Sequence, residues 1–135
     1  MSLTRFTKAQ EGVWPTALAE LRAGQKETHW MWFIFPQLRG LGRSETARFY
    51  GIADMAEARA YLADPVLGPR LAEAAAAVLA HPGPADRIMG HVDALKLRSS
   101  ATLFAAAGGG DVFERVLAQF YDGPDPATLS LIETS

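Results

Sequence analysis

The sequence contains no cysteine. That excludes a disulfide scaffold, a cysteine nucleophile and a thiolate metal site. Histidine is scarce, with three residues, His29, His81 and His91. They are far apart and form no His-x-x-x-His pair, so no helical metal site is expected. No apolar run approaches the roughly 18 residues that cross a bilayer. Residues 1–10 are polar and charged, with no apolar leader. The expectation is a soluble cytoplasmic protein that makes no use of a membrane. Sustained period-2 alternation is also missing, so strands are not expected. No internal repeat, phosphate-binding P-loop or dinucleotide-binding glycine pattern occurs, and no cofactor is expected.

Basic charge is limited as well. The 135 residues carry a net charge of −2. Residues 1–50 hold seven Lys/Arg against four Glu, a local balance of +3, and the remainder stands at −5. A +3 half is far short of the basic stripe of a duplex-DNA binder. It suits a small anionic ligand, or it is ordinary surface charge.

What is present is helix. An apolar fraction of 49% and a charged fraction of 21% fit one folded core. Residues 8–23 place Ala9, Val13, Ala17, Leu18 and Leu21 at helical spacing, with Gly24 as the stop. Ser44 starts a short helix to about Tyr50, and Asp54 with Glu57 forms a capping-box pattern. Asp64-Pro65 and Asp125-Pro126 each set a capping acid before a proline. The helix after Pro65 ends at His81-Pro82-Gly83-Pro84. Another runs from Val92 to Ala107, and Asp111 caps the next. The chain reads as all-α: a compact array of roughly six to eight short helices in a single domain, 1–135.

Three segments have residue types suited to chemistry. Trp30–Phe35 is six consecutive large apolar residues, four of them aromatic. As a helix it is apolar on every side and must be buried, and Pro36 stops it. If the helix extends back to Lys26, then Lys26, His29, Trp30 and Phe33 share a face. Trp30 would stack on a ring, and Lys26 would meet a phosphate. The plainer alternative is that the aromatics are core and His29 is a core histidine.

The second segment is Gln37-Leu38-Arg39-Gly40-Leu41-Gly42-Arg43-Ser44. Its glycines and arginines precede a helix start and could hold an anion, or they form a turn capped by Ser44. The third runs from Asp93 to Phe104. Asp93, Lys96 and Ser100 fall on one helical face, with Ser99 and Thr102 beside it. Clustered hydroxyls inside a helix are mildly unfavourable unless they bond to something. The group suits an anion site, or a serine activated by a lysine. A helix-packing face is the alternative.

The blocks from Lys26-x-x-His29-Trp30-Met31-Trp32-Phe33-Ile34-Phe35-Pro36-Gln37 to Gly42-x-Ser44 resemble an uncharacterised, largely bacterial family, domain of unknown function eighteen-ten. The resemblance continues through Tyr50-Gly51-Ile52, Pro65-x-Leu67-Gly68 and Asp93-x-x-Lys96-Leu97-x-Ser99-Ser100. It ends at Asp125-x-x-Thr128-Leu129 and covers nearly the whole chain. It implies a small all-helical domain with no established activity. Ala101 departs from it, since methionine is expected there. Members sometimes carry the label calpastatin, a disordered inhibitor, which this globular composition contradicts.

The combined expectation is a site where residues 26–44 meet residues 93–102. Lys26, Trp30, Gln37, Lys96, Ser99 and Ser100 would bind an anionic, ring-bearing compound, a nucleotide or ADP-ribose derivative. His29 and Asp93 would move protons if there is catalysis. The alternative is a non-catalytic interaction module that presents segment 30–35 to another protein or a second copy. Either reading fits a monomer or a homodimer.

Overall fold

The computed structural model describes residues 2–134. Among them are ten helices: α1 (Thr4–Gln10), α2 (Trp14–Ala23), α3 (Met31–Ile34), α4 (Glu45–Tyr50), α5 (Met55–Ala63), α6 (Leu67–Leu79), α7 (Ala85–Met89), α8 (His91–Ala106), α9 (Asp111–Phe120) and α10 (Pro126–Thr134). No strand forms among the described residues. One isolated parallel bridge joins Leu38 and Ile52, through Arg39 N–H to Ile52 O at 2.8 Å and Ile52 N–H to Gln37 O at 2.8 Å. No described helix is long and apolar enough to cross a membrane.

The helical expectation holds, but ten helices exceed the expected six to eight. The single helix expected over residues 8–23 is two. Gly12 takes a left-handed φ of 71°, and Pro15, which has no N–H and would clash inside a helix, falls in the first turn of α2. The other addition is α7, a five-residue helix that follows Pro84.

The capping acids work largely as the sequence suggests. Ser44 Oγ accepts the Ala47 N–H at 3.1 Å, and Asp54 accepts the Glu57 N–H at 2.9 Å. The return bond of the box differs, because Glu57 accepts from Ala53 N at 2.9 Å and pairs with Arg5 at 2.8 Å. Asp64 and Asp125 accept amides at the starts of α6 and α10. At α9 the cap position belongs to Gly110, and Asp111 is the first helical residue.

The core is one continuous buried cluster. Rings run through it from α1 to α9: Phe6 on Tyr61 at 5.1 Å, Tyr61 on Phe104 at 5.3 Å and Phe104 on Phe113 at 5.9 Å. Burying each such ring contributes roughly 1.5–3 kcal/mol. Helix α6 presents Leu67, Leu71, Ala74, Ala75 and Val78 to this core, the spacing of one helical face. It packs on α2, α5 and α9. Helix α8 lies against α5, α7, α9 and α10. From Ser99 to Phe104 every residue of α8 is buried.

Candidate functional site

The helix of the aromatic segment begins only at Met31. The Lys26–Phe33 helical face therefore does not form. The backbone before Trp30 is held by other partners. Lys26 N–H donates to Ile88 O at 2.7 Å. Glu27 and Thr28 N–H donate to Glu20 Oε1 at 2.8 and 3.0 Å.

Glu20 anchors this segment from α2. The same Oε1 accepts the Trp30 indole N–H at 2.9 Å, and Oε2 accepts the Thr28 hydroxyl at 2.6 Å. Burial pushes the Glu20 carboxyl up. Its hydrogen bonds from Thr28, Glu27 and Trp30 outweigh that and bring it down to about 2. Trp30 is 0% exposed and rests on Phe35 at 6.4 Å. It is core, and its ring is closed to a ligand.

Lys26 nevertheless meets α8. Its ammonium donates to Thr28 O at 2.6 Å and stands 2.9 Å from Asp93 Oδ2. Lys96 approaches the other oxygen, Oδ1, at 3.5 Å. The Lys26, Asp93 and Lys96 side chains are 7%, 20% and 19% exposed. Lys96 Nζ also lies 3.8 Å from the centre of the Trp32 ring, a cation–π contact strengthened by partial desolvation. Trp32 and Gln37 border a cleft of about 10 Å³ with Tyr50, room for about one water molecule. Lys26, Asp93, Lys96 and Trp32 thus form a connected set. Lys26 Nζ also lies 4.9 Å from the centre of the Trp30 ring, and Gln37 touches the set only as a neighbour of Trp32 in the cleft wall.

The other sequence candidates fall outside it. His29 is exposed. Ser99 Oγ donates to Leu95 O and contacts Asp125 Oδ2, both at 3.3 Å, so it ties α8 to the start of α10. Ser100 is 1% exposed, and its hydroxyl has no hydrogen-bond partner among the described residues. It sits one turn beyond Lys96 on the Asp93 face. Of segment 30–35, Trp30, Met31, Ile34 and Phe35 are buried, so that segment presents no broad exposed patch.

The sequence reading missed Trp32 and Glu20. Trp32 carries no signal of its own, since Trp30 and Trp32 are equivalent until the position of α8 is known. Glu20 does carry one, because it stands among Ala17, Leu18 and Leu21 on the apolar face of α2. Among the described residues, no group of three or more His, Asp and Glu side chains could hold a metal ion.

A separate groove of about 580 Å³ opens between α8, α9 and the loop to α10. The lysine pair lines neither it nor the Trp32 cleft.

A family model described as "Protein of unknown function (DUF1810)" matches residues 1–132. The crystal structure of the conserved hypothetical protein Rv1873 from Mycobacterium tuberculosis has the same fold. The two are 47% identical with a TM-score of 0.96, over 98% of this chain and 97% of that one. No curated protein matches the chain.

Proposed function

The chain belongs to the DUF1810 family of proteins of unknown function, and from that premise we propose that it binds a small anionic, ring-bearing compound at the Lys26–Asp93–Lys96 cluster. A nucleotide or an ADP-ribose derivative has the right chemistry. One observation carries this reading. Two lysines from different parts of the chain converge on a single carboxylate, at 2.9 and 3.5 Å. Only one of their charges is balanced there, in a partly desolvated setting where an added anion is favoured. Trp32 offers the ring platform assigned to Trp30 from sequence, and the unpartnered Ser100 hydroxyl lies one turn below Lys96.

In this reading Lys26 and Lys96 bind the anion and Asp93 sets the spacing of the two ammonium groups. Gln37 supports the Trp32 edge of the site. Ser99 has no part in it, because it is engaged with α10. His29 joins only if the ligand extends over the exposed loop. The same reading has the protein in the bacterial cytoplasm, as a monomer or homodimer, acting on neither duplex nucleic acid nor a membrane.

The test is a titration of the ¹⁵N-labelled protein with adenosine monophosphate and ADP-ribose, with uncharged adenosine as control. The expected result is saturable shifts of the Trp32 indole and Lys96 amide with the two phosphates, lost in Lys96→Ala. No shift at millimolar concentration, or equal shifts with adenosine, overturns the proposal.

A further inference from the structure

The α8–α9 groove is chemically unlike the lysine cluster, and it stands independently of the reading above. It exists because its walls are short. Thr102, Ala105 and Ala106 on α8 face Ala118 and Leu117 on α9, and Leu129 of α10 closes one side. On α9 the lining residues Glu114, Leu117 and Ala118 follow helical spacing, so they form one stripe along the groove, and Tyr121 continues the wall just past the helix end.

The polar atoms of the floor are already engaged. Thr102 Oγ1 donates to Arg98 O at 2.8 Å and accepts from Asp125 N at 2.8 Å. The Tyr121 hydroxyl donates to Ala94 O, which leaves its ring for the groove. The carbonyls of Gly123 and Pro124 accept from the Arg98 guanidinium at 2.9 and 3.2 Å. Two exposed carboxylates remain, Glu114 and Asp122, and neither has an ion-pair or hydrogen-bond partner among the described residues. Among the described residues no basic side chain lines the groove; the Arg98 guanidinium borders it, engaged by the Gly123 and Pro124 carbonyls and 5.8 Å from the centre of the Tyr121 ring. Asp122 also follows the C-terminal end of α9, whose carbonyls add partial negative charge.

We propose that this groove binds a small amphiphilic cation: an apolar body lying on the Ala105–Ala118 floor, with an ammonium group held by Glu114 or Asp122. A volume of about 580 Å³ falls within the range of small-molecule sites, roughly 300–1,000 Å³. The charge of the lining selects the sign of the ligand, and the apolar floor supplies the affinity.

Two probes of equal shape and opposite charge test it, 4-phenylbutylamine and 4-phenylbutyrate, each titrated against the labelled protein at neutral pH. The amine is expected to shift the Leu117, Ala118 and Tyr121 amides and to bind about fivefold more tightly than the carboxylate, the scale of two exposed charge contacts. Glu114→Gln with Asp122→Asn should bring the two probes together while the amine still binds. Ala118→Trp, at an exposed position, should fill the groove and abolish binding of both. If that variant does not fold, Ala106→Trp from the opposite wall replaces it. Equal affinity of the two probes for the native protein, no shift with either, or undiminished binding in the filled groove overturns the proposal.

Discussion

The Trp30 indole N–H donates to Glu20 Oε1 at 2.9 Å, beneath a surface that leaves the tryptophan wholly covered. A buried indole donor needs an acceptor, and a buried carboxylate needs several donors. Each supplies part of what the other requires. Together they fix the approach to α3, and so the position from which Trp32 meets α8.

Acid should weaken the fold through Glu20. Its carboxyl ordinarily titrates near 4.5 and is held at about 2 in the folded protein. The folded state therefore binds this proton less readily than the unfolded chain. The stability it contributes is present above about pH 4.5 and is lost as pH falls toward about 2. Urea unfolding at a series of pH values should show that loss. Glu20→Gln should be less stable at pH 7 by about 1–3 kcal/mol, with a shallower slope across the same window. Some slope should persist, because Glu57, where burial raises and the Arg5 and Ala53 contacts more than offset it, is also shifted down.

Removing Asp93 should cost more than removing either lysine's charge. Asp93→Asn leaves two ammonium groups facing each other without an anion, in a site no more than 20% exposed. The expected loss is about 1–3 kcal/mol. Lys96→Met ends the longer ion pair at 3.5 Å and the cation–π contact on Trp32, and should lose no more than about 1 kcal/mol. Equal losses in denaturant unfolding would show that the carboxylate does not organise the cluster.

The two tryptophans should separate stability from binding. Trp30→Phe removes buried volume and the Glu20 bond together, at a cost of about 2–4 kcal/mol. Trp32→Phe keeps a ring at a half-buried position and should stay within about 1 kcal/mol of the parent. Trp32→Ala should remain folded and lose the response to ADP-ribose. Thermal unfolding and nucleotide titration of the same variants would check both halves.

Gly24 and Gly12 provide a matched pair. Both adopt left-handed φ, 74° and 71°, so alanine at either carries a backbone cost of about 1–2 kcal/mol. Around Gly12 the space is open. At Gly24 an added methyl would fall 2.8 Å from His81 Cε1. It would displace the ring whose Nε2–H donates to Leu21 O at 2.9 Å. Gly24→Ala should therefore melt well below Gly12→Ala, and the difference isolates the His81 contact.

The sequence was most legible where local chemistry decides the outcome. The caps of α4 and α5, the glycine end of α2 and the acid–proline start of α10 are each set by residues within one turn. It was least legible where an element's partner decides. Trp30 and Trp32 differ only by which of them faces α8. Lys26 meets Asp93 from a non-helical segment, where the sequence suggested a helix. Thr102 reads as one hydroxyl of a cluster until the α10 loop brings Asp125 N to it. The groove could not be read at all, because it is a space left by small residues from three elements.

The paired bridge at Leu38 and Ile52 closes residues 39–51 into a loop tied at its neck by two backbone hydrogen bonds. That loop carries Gly42, Ala47 and Tyr50, which wall the cleft beside Trp32. Arg5 and Arg39 also tie the loop by donating to Gly51 O, and a local unit of this size opens more often than the whole protein unfolds. The Arg39 and Ile52 amides should then exchange with deuterated solvent well ahead of those in the buried half of α8. Arrival of anything at the inner edge of Trp32 would be timed by that opening, and only secondarily by diffusion.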